Sequence, residues 1–178
     1  MEMSTMPSRL LIIAALVAAA SGVCGPAAMA AGPSGYQDST YVRSAHQGNL
    51  AEIAAGSDAR TNATTSCVKD VGAKLVTDHQ KLDTDLKALA AQSEMTLPTT
   101  PTAEQQQKLK AVQDKAGSAG YDQAWLADQE AAHTKTLALI DTQIRAGTDP
   151  AVTQSAEKAR PVVAMHLDMV RGGTCHPV

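Results

Sequence analysis

Apolar residues recur at alternating steps of four and three in four separate stretches, the spacing of one face of an α-helix. The most informative stretch reads Leu126, Glu130, His133, Leu137, Ile140, Ile144. That face is apolar except where Glu130 and His133 interrupt it. A carboxylate and an imidazole three residues apart form the Glu-x-x-His unit carried by metal-binding helical bundles. The helix is expected to start near Tyr121 or Asp122 and to stop at Gly147, a residue suited to a helix C-terminus.

Three other stretches follow the same rule. One runs from about Ser66 to Ala91 with the stripe Val68, Gly72, Leu75, His79, Leu82, Leu86, Leu89, which places His79 at a core position. Another opens with Asp149 as cap and Pro150 in its first turn, and its stripe is Val152, Ala156, Ala159, Val163, His166, Val170. Pro161 is expected to kink it, and Gly172-Gly173 ends it. The first helix, from Asp38 or Ser39 to about Arg60, has two candidate faces. They are Val42, His46, Asn49, Ile53, Gly56 and the adjacent row Ala45, Asn49, Glu52, Gly56, Ala59. Between the second and third long helices, the prolines of Met95 to Pro101 exclude a helix. Thr102-Ala103-Glu104-Gln105 then reads as a capping box opening a short helix to about Ala116. Leu109 and Val112 are its main apolar residues, so it is expected on the surface.

Four long amphipathic helices and one long connection define an all-α fold, a four-helix bundle over residues 37–173. Counting at about 1.5 Å per residue brings His46, His79, Glu130, His133 and His166 to similar depths in a simple up-down-up-down bundle. If the long connection crosses the bundle, the groups still meet, with Glu52 level with Glu130. Cys67 and Cys175 separate the two topologies. Only the crossover puts them at one end, within reach of a disulfide. A pair would be worth about 4 kcal/mol in the chain-entropy model; the alternative is two free thiols. The expectation is a ferritin-like crossover bundle.

The start of the chain changes the picture of where this happens. Arg9 precedes the apolar run from Leu10 to Ala20, and Ala28-Met29-Ala30 offers small residues for cleavage, so residues 1–30 read as a signal peptide. Lipidation at Cys24 fits less well, because Ser21-Gly22-Val23 lacks the aliphatic residue expected three positions earlier. Residues 31–36 read as a flexible start and 174–178 as a C-terminal tail. An oxidising compartment, periplasmic or extracellular, would permit the disulfide. The net charge of −3 and the lack of a basic stripe argue against nucleic acid as a partner. No segment after the leader could span a membrane.

Burying a carboxylate and several imidazoles costs several kcal/mol unless something satisfies them. A cation held by Glu52, His79, Glu130, His133 and His166, with His46 nearby, would do so. Val76 and Val163 stand where a second Glu-x-x-His would need its carboxylates. That departs from a di-iron set and leaves zinc, copper or mononuclear iron. The competing reading is a non-catalytic envelope protein that binds another envelope protein, with the same residues forming a polar network. No nucleophile elbow supports a hydrolase, and Thr174-Cys175-His176 lacks the first cysteine of a haem attachment motif.

Asp38 through Glu52-Ile53, Thr77-Asp78-His79, Tyr121-Asp122 leading to His133, and His166-Leu167 together resemble the exported bacterial family called domain of unknown function 4142 (DUF4142). The resemblance covers about residues 37–172. It implies a ferritin-like bundle in the periplasm or outer envelope, and no established activity.

Overall fold

In a computed structural model describing residues 34–177, each apolar stripe lies on a helix. The helices are α1 (Ser34–Asn62), α2 (Ser66–Gln92), α3 (Ala103–Gln113), α4 (Ala119–Ala146) and α5 (Pro150–Val170), closed by a 3-10 turn at Arg171–Gly173. No strand occurs among the described residues. The expected signal peptide lies outside them.

The local chemistry of the ends explains the boundaries. The Thr102 hydroxyl accepts from the Gln105 N–H at 3.2 Å while the Gln105 side chain accepts from the Thr102 N–H at 2.8 Å, a complete capping box. The Asp149 carboxylate caps α5 by accepting from Ala151 and Val152 at 2.8 and 3.3 Å. Beyond α5, Gly172 and Gly173 take positive φ values of 67° and 63°, a backbone region that favours glycine.

One sequence expectation needs correction here. The helix α1 begins at Ser34, so residues 34–36 are helical rather than a loose start, and Asp38 is not its cap. Pro161 lies within α5, which is continuous from Pro150 to Val170; the proline is exposed, so the carbonyl it leaves unbonded can meet water. As expected, α3 lies on the surface, largely exposed, with Val112 at 4 % exposure anchoring it to the core.

Contacts between named residues fix the helix directions. α1 and α2 are antiparallel and tightly packed at Gly56 and Gly72, where a Cβ on Gly56 would lie 2.5 Å from the Gly72 carbonyl oxygen. α1 and α4 are also antiparallel. The Trp125 indole donates to the Ala55 carbonyl at 3.0 Å, and far along both helices the Gln143 amide donates to Asp38 at 2.5 Å. Cys67 at the start of α2 meets Cys175 just beyond α5, with Sγ atoms 2.05 Å and Cα atoms 6.2 Å apart across 108 residues of sequence. α2 and α4 therefore run parallel, and residues 93–118 cross the length of the molecule between them. That is the crossover arrangement, with the cysteines at disulfide distance rather than at opposite ends.

Two aspartates clamp the helix pairs together. Asp122, in the first turn of α4, accepts from the backbone N–H and hydroxyl of both Thr64 and Thr65 at 2.8–2.9 Å. Asp38, early in α1, accepts from the N–H and hydroxyl of Thr148 and the N–H of Asp149 at 2.8–3.2 Å. These bonds outweigh the burial of each carboxyl and hold both below the usual carboxylate range.

Apolar side chains gather in two clusters. One contains Val68, Leu75, Tyr121, Trp125 and Val170; the other contains Tyr41, Leu86, Ile140, Val152 and Val163. Between them along the helices lies a buried polar layer.

Candidate metal centre

His79 on α2, His133 on α4 and His166 on α5 bring one ring nitrogen each to within 4.8 Å of one another. All three are at most 3 % exposed, and their ring centroids are 5.1–5.7 Å apart. Among the described residues, the clustered group contains these histidines alone.

The outer nitrogen of each ring is committed elsewhere. His79 Nδ1 lies 3.0 Å from Asn49 Oδ1 on α1. His133 Nδ1 donates to the Gln129 carbonyl one turn earlier at 2.9 Å. His166 Nε2 donates to the Asp78 carboxylate at 2.8 Å, and Asp78 in turn accepts from Lys74 at 2.6 Å. The remaining atoms, His79 Nε2, His133 Nε2 and His166 Nδ1, have no hydrogen-bond partner among the described residues. A neutral imidazole carries one N–H, so donating it outward leaves a lone pair pointing inward. Three such lone pairs converge.

Burial keeps the rings neutral. It presses His133 down to about 4, against a partial lift from the Gln129 bond. It lowers His79 well below the ordinary imidazole value, helped by the other two rings. His166 is lowered by burial despite the opposing pull of Asp78. Neutral imidazoles anchored through their outer nitrogens are the form in which histidine binds metals, and the anchors fix tautomer and ring orientation.

The other residues singled out by the sequence have different positions. Glu130 is only partly buried, and its carboxylate accepts from the Gly172 and Gly173 N–H groups at 3.1 and 3.2 Å. It secures the turn after α5, not the histidine cluster. The buried row of α4 runs one residue to the side of the expected stripe, through Asp122, Gln129, His133, Ile140 and Gln143. His46 lies 2.6 Å from Asp83 and 2.8 Å from the Pro98 carbonyl, tying α1 to α2 and to the crossover. Glu52 is 8 % exposed and lines a cavity of about 380 Å³ together with Asn49, His79 and His133. Burial pushes its carboxyl up to about 8, with Asp128 adding to the shift and a hydrogen bond from Gln129 opposing it.

Sequence reasoning placed Asn49 on both candidate faces of the first helix but missed Asp78 and residue 129 as partners of the cluster. Asp78 adjoins His79 in the chain, but its bond to His166 depends on how α2 and α5 pack. Residue 129 bonds His133 through its backbone carbonyl, which any residue one turn earlier would offer, so the sequence carries no signal for it.

Taken together, the fold and cluster define an all-helical domain with a buried tri-histidine group capable of holding a metal ion. The chain belongs to the family described as Domain of unknown function (DUF4142), whose model matches residues 23–172. No curated protein and no solved structure matches it.

Proposed function

We propose that this is an exported protein of ferritin-like architecture that binds one transition-metal ion through His79, His133 and His166. The reading rests on one observation: three buried ring nitrogens face one another without a proton or a partner. Each unsatisfied buried polar atom costs about 1–3 kcal/mol. A cation removes that cost and converts lone-pair repulsion into ligation. An all-imidazole set suits zinc, copper or iron. Metal handling or protection of the envelope against oxidative stress is the corresponding role.

The leader-like N-terminus and the cysteine pair at disulfide distance support export. No described helix is long and apolar enough to cross a membrane. The competing reading, an envelope interaction protein with a metal-free polar network completed by water, leaves the three inner nitrogens without a partner from the protein among the described residues. Only their outer nitrogens are bonded, to Asn49, the Gln129 carbonyl and Asp78.

Metal analysis of the protein purified from its native compartment tests this reading. One equivalent of zinc, copper or iron is expected, lost in His133→Leu. A metal-free protein whose melting temperature ignores zinc, copper, iron and manganese would end the proposal.

A further inference from the structure

The three histidines come from α2, α4 and α5, while α1 completes the enclosure without contributing one. At that level α1 presents Asn49, already bonded to His79, and Glu52. Glu52 is more than nine-tenths buried, and its Oε2 has no hydrogen-bond partner among the described residues. It shares the 380 Å³ cavity with His79 and His133. A second cavity of about 620 Å³, under the crossover and against α3, also includes Glu52 in its wall. Glu52 therefore borders both the space beside His79 and His133 and the space beneath the crossover.

A closed structural zinc site has four protein ligands, whereas a reactive site keeps three and leaves one position to solvent or substrate. Here three imidazoles cluster, and no fourth His, Cys, Asp or Glu joins them among the described residues. The adjoining cavity is many times the volume of one water, about 30 Å³. Resting on the metal reading above, we propose that the ion keeps an open position toward α1. That position is filled by a solvent-derived water or hydroxide, which a small anion can displace, and Glu52 hydrogen-bonds whatever ligand occupies it. Glu52 is thus a positioning residue for an exogenous ligand, and the centre is of the reactive rather than the structural kind. The Gln129 side chain hydrogen-bonds to Glu52 as well.

The test loads the full mature chain with cobalt(II) and follows its visible spectrum while azide is added. Saturable spectral change is expected in the parent protein. Glu52→Leu should bind the same one equivalent of cobalt but weaken azide by about tenfold, the effect of losing one charge-assisted hydrogen bond. Glu52→Gln, which retains a donor, should lie much nearer the parent. A cobalt spectrum indifferent to azide, or equal azide affinity in Glu52→Leu, overturns this inference while leaving the metal site standing. A parent protein that takes up no cobalt overturns the metal reading itself, and this inference with it.

Discussion

The Asp78 carboxylate, on α2, accepts the Nε2–H of His166, on α5, at 2.8 Å and so turns the Nδ1 of that ring toward the cluster. His79 and His133 face inward through Nε2 instead. The tautomer of His166 is therefore set by the neighbour of another ligand in the chain. Asp78→Asn should preserve the fold and weaken metal binding by about 10–100-fold, the usual effect of removing an outer-shell partner. Competition against a chromophoric zinc chelator measures this; unchanged affinity would remove Asp78 from the site.

In the metal-free protein, stability should depend on pH through two opposing sets of groups. The buried histidines titrate below their ordinary value of 6.5, so as pH falls the unfolded chain takes up protons first. Their contribution is complete above about pH 6.5 and is lost as pH falls toward 4. Glu52 acts in the other direction: pushed up to about 8, its contribution is present below the ordinary 4.5 and lost as pH rises toward 8. Urea midpoints across this range should show both limbs, and Glu52→Gln should flatten only the alkaline one. A profile with no acid limb would contradict the neutral, buried state of the rings.

Two glycines of α1 should respond oppositely to alanine. Gly56→Ala places a Cβ 2.5 Å from backbone of α2, forcing the helices apart, and should cost about 1–3 kcal/mol. Gly48 has nothing within 4 Å of an added Cβ, so Gly48→Ala should be neutral or stabilise by up to about 1 kcal/mol through helix propensity. Denaturant titration of both variants checks the contrast, which is lost if both behave alike.

Glu130 provides a separating control, because the sequence placed it among the ligands and the fold does not. Glu130→Gln should leave metal affinity unchanged and cost at most about 1 kcal/mol at the turn after α5. Loss of metal in this variant would return Glu130 to the site.

What the sequence made legible was the number of helices, because stripe spacing and end signals are local; their directions followed only from the distant pair Cys67 and Cys175. His79, His133 and His166 stood out for the same reason: each interrupts an apolar row. Glu130 misled because the true buried row of α4 contains Gln129 and Gln143, whose polarity made Leu137 and Ile144 look like its continuation. Those glutamines are buried because Glu52 and Asp38 on another helix receive them, a fact of packing that no single stretch records. His46 was ambiguous for a related reason, since its carbonyl partner at Pro98 belongs to an irregular segment.

Asp38, Asp122, the cysteine pair and the histidine cluster share one property: each joins residues 34–92 to residues 119–177. Asp38 and Asp122 reach in opposite directions, Cys67 and Cys175 tie the two ends, and His79 faces His133 and His166. Nothing in that set depends on the peptide chain being continuous through residues 93–118. A protease cutting in the crossover would thus leave two fragments that remain one molecule, held by a covalent bond and reciprocal carboxylate clamps. Cleavage within the crossover would leave the centre between the halves assembled.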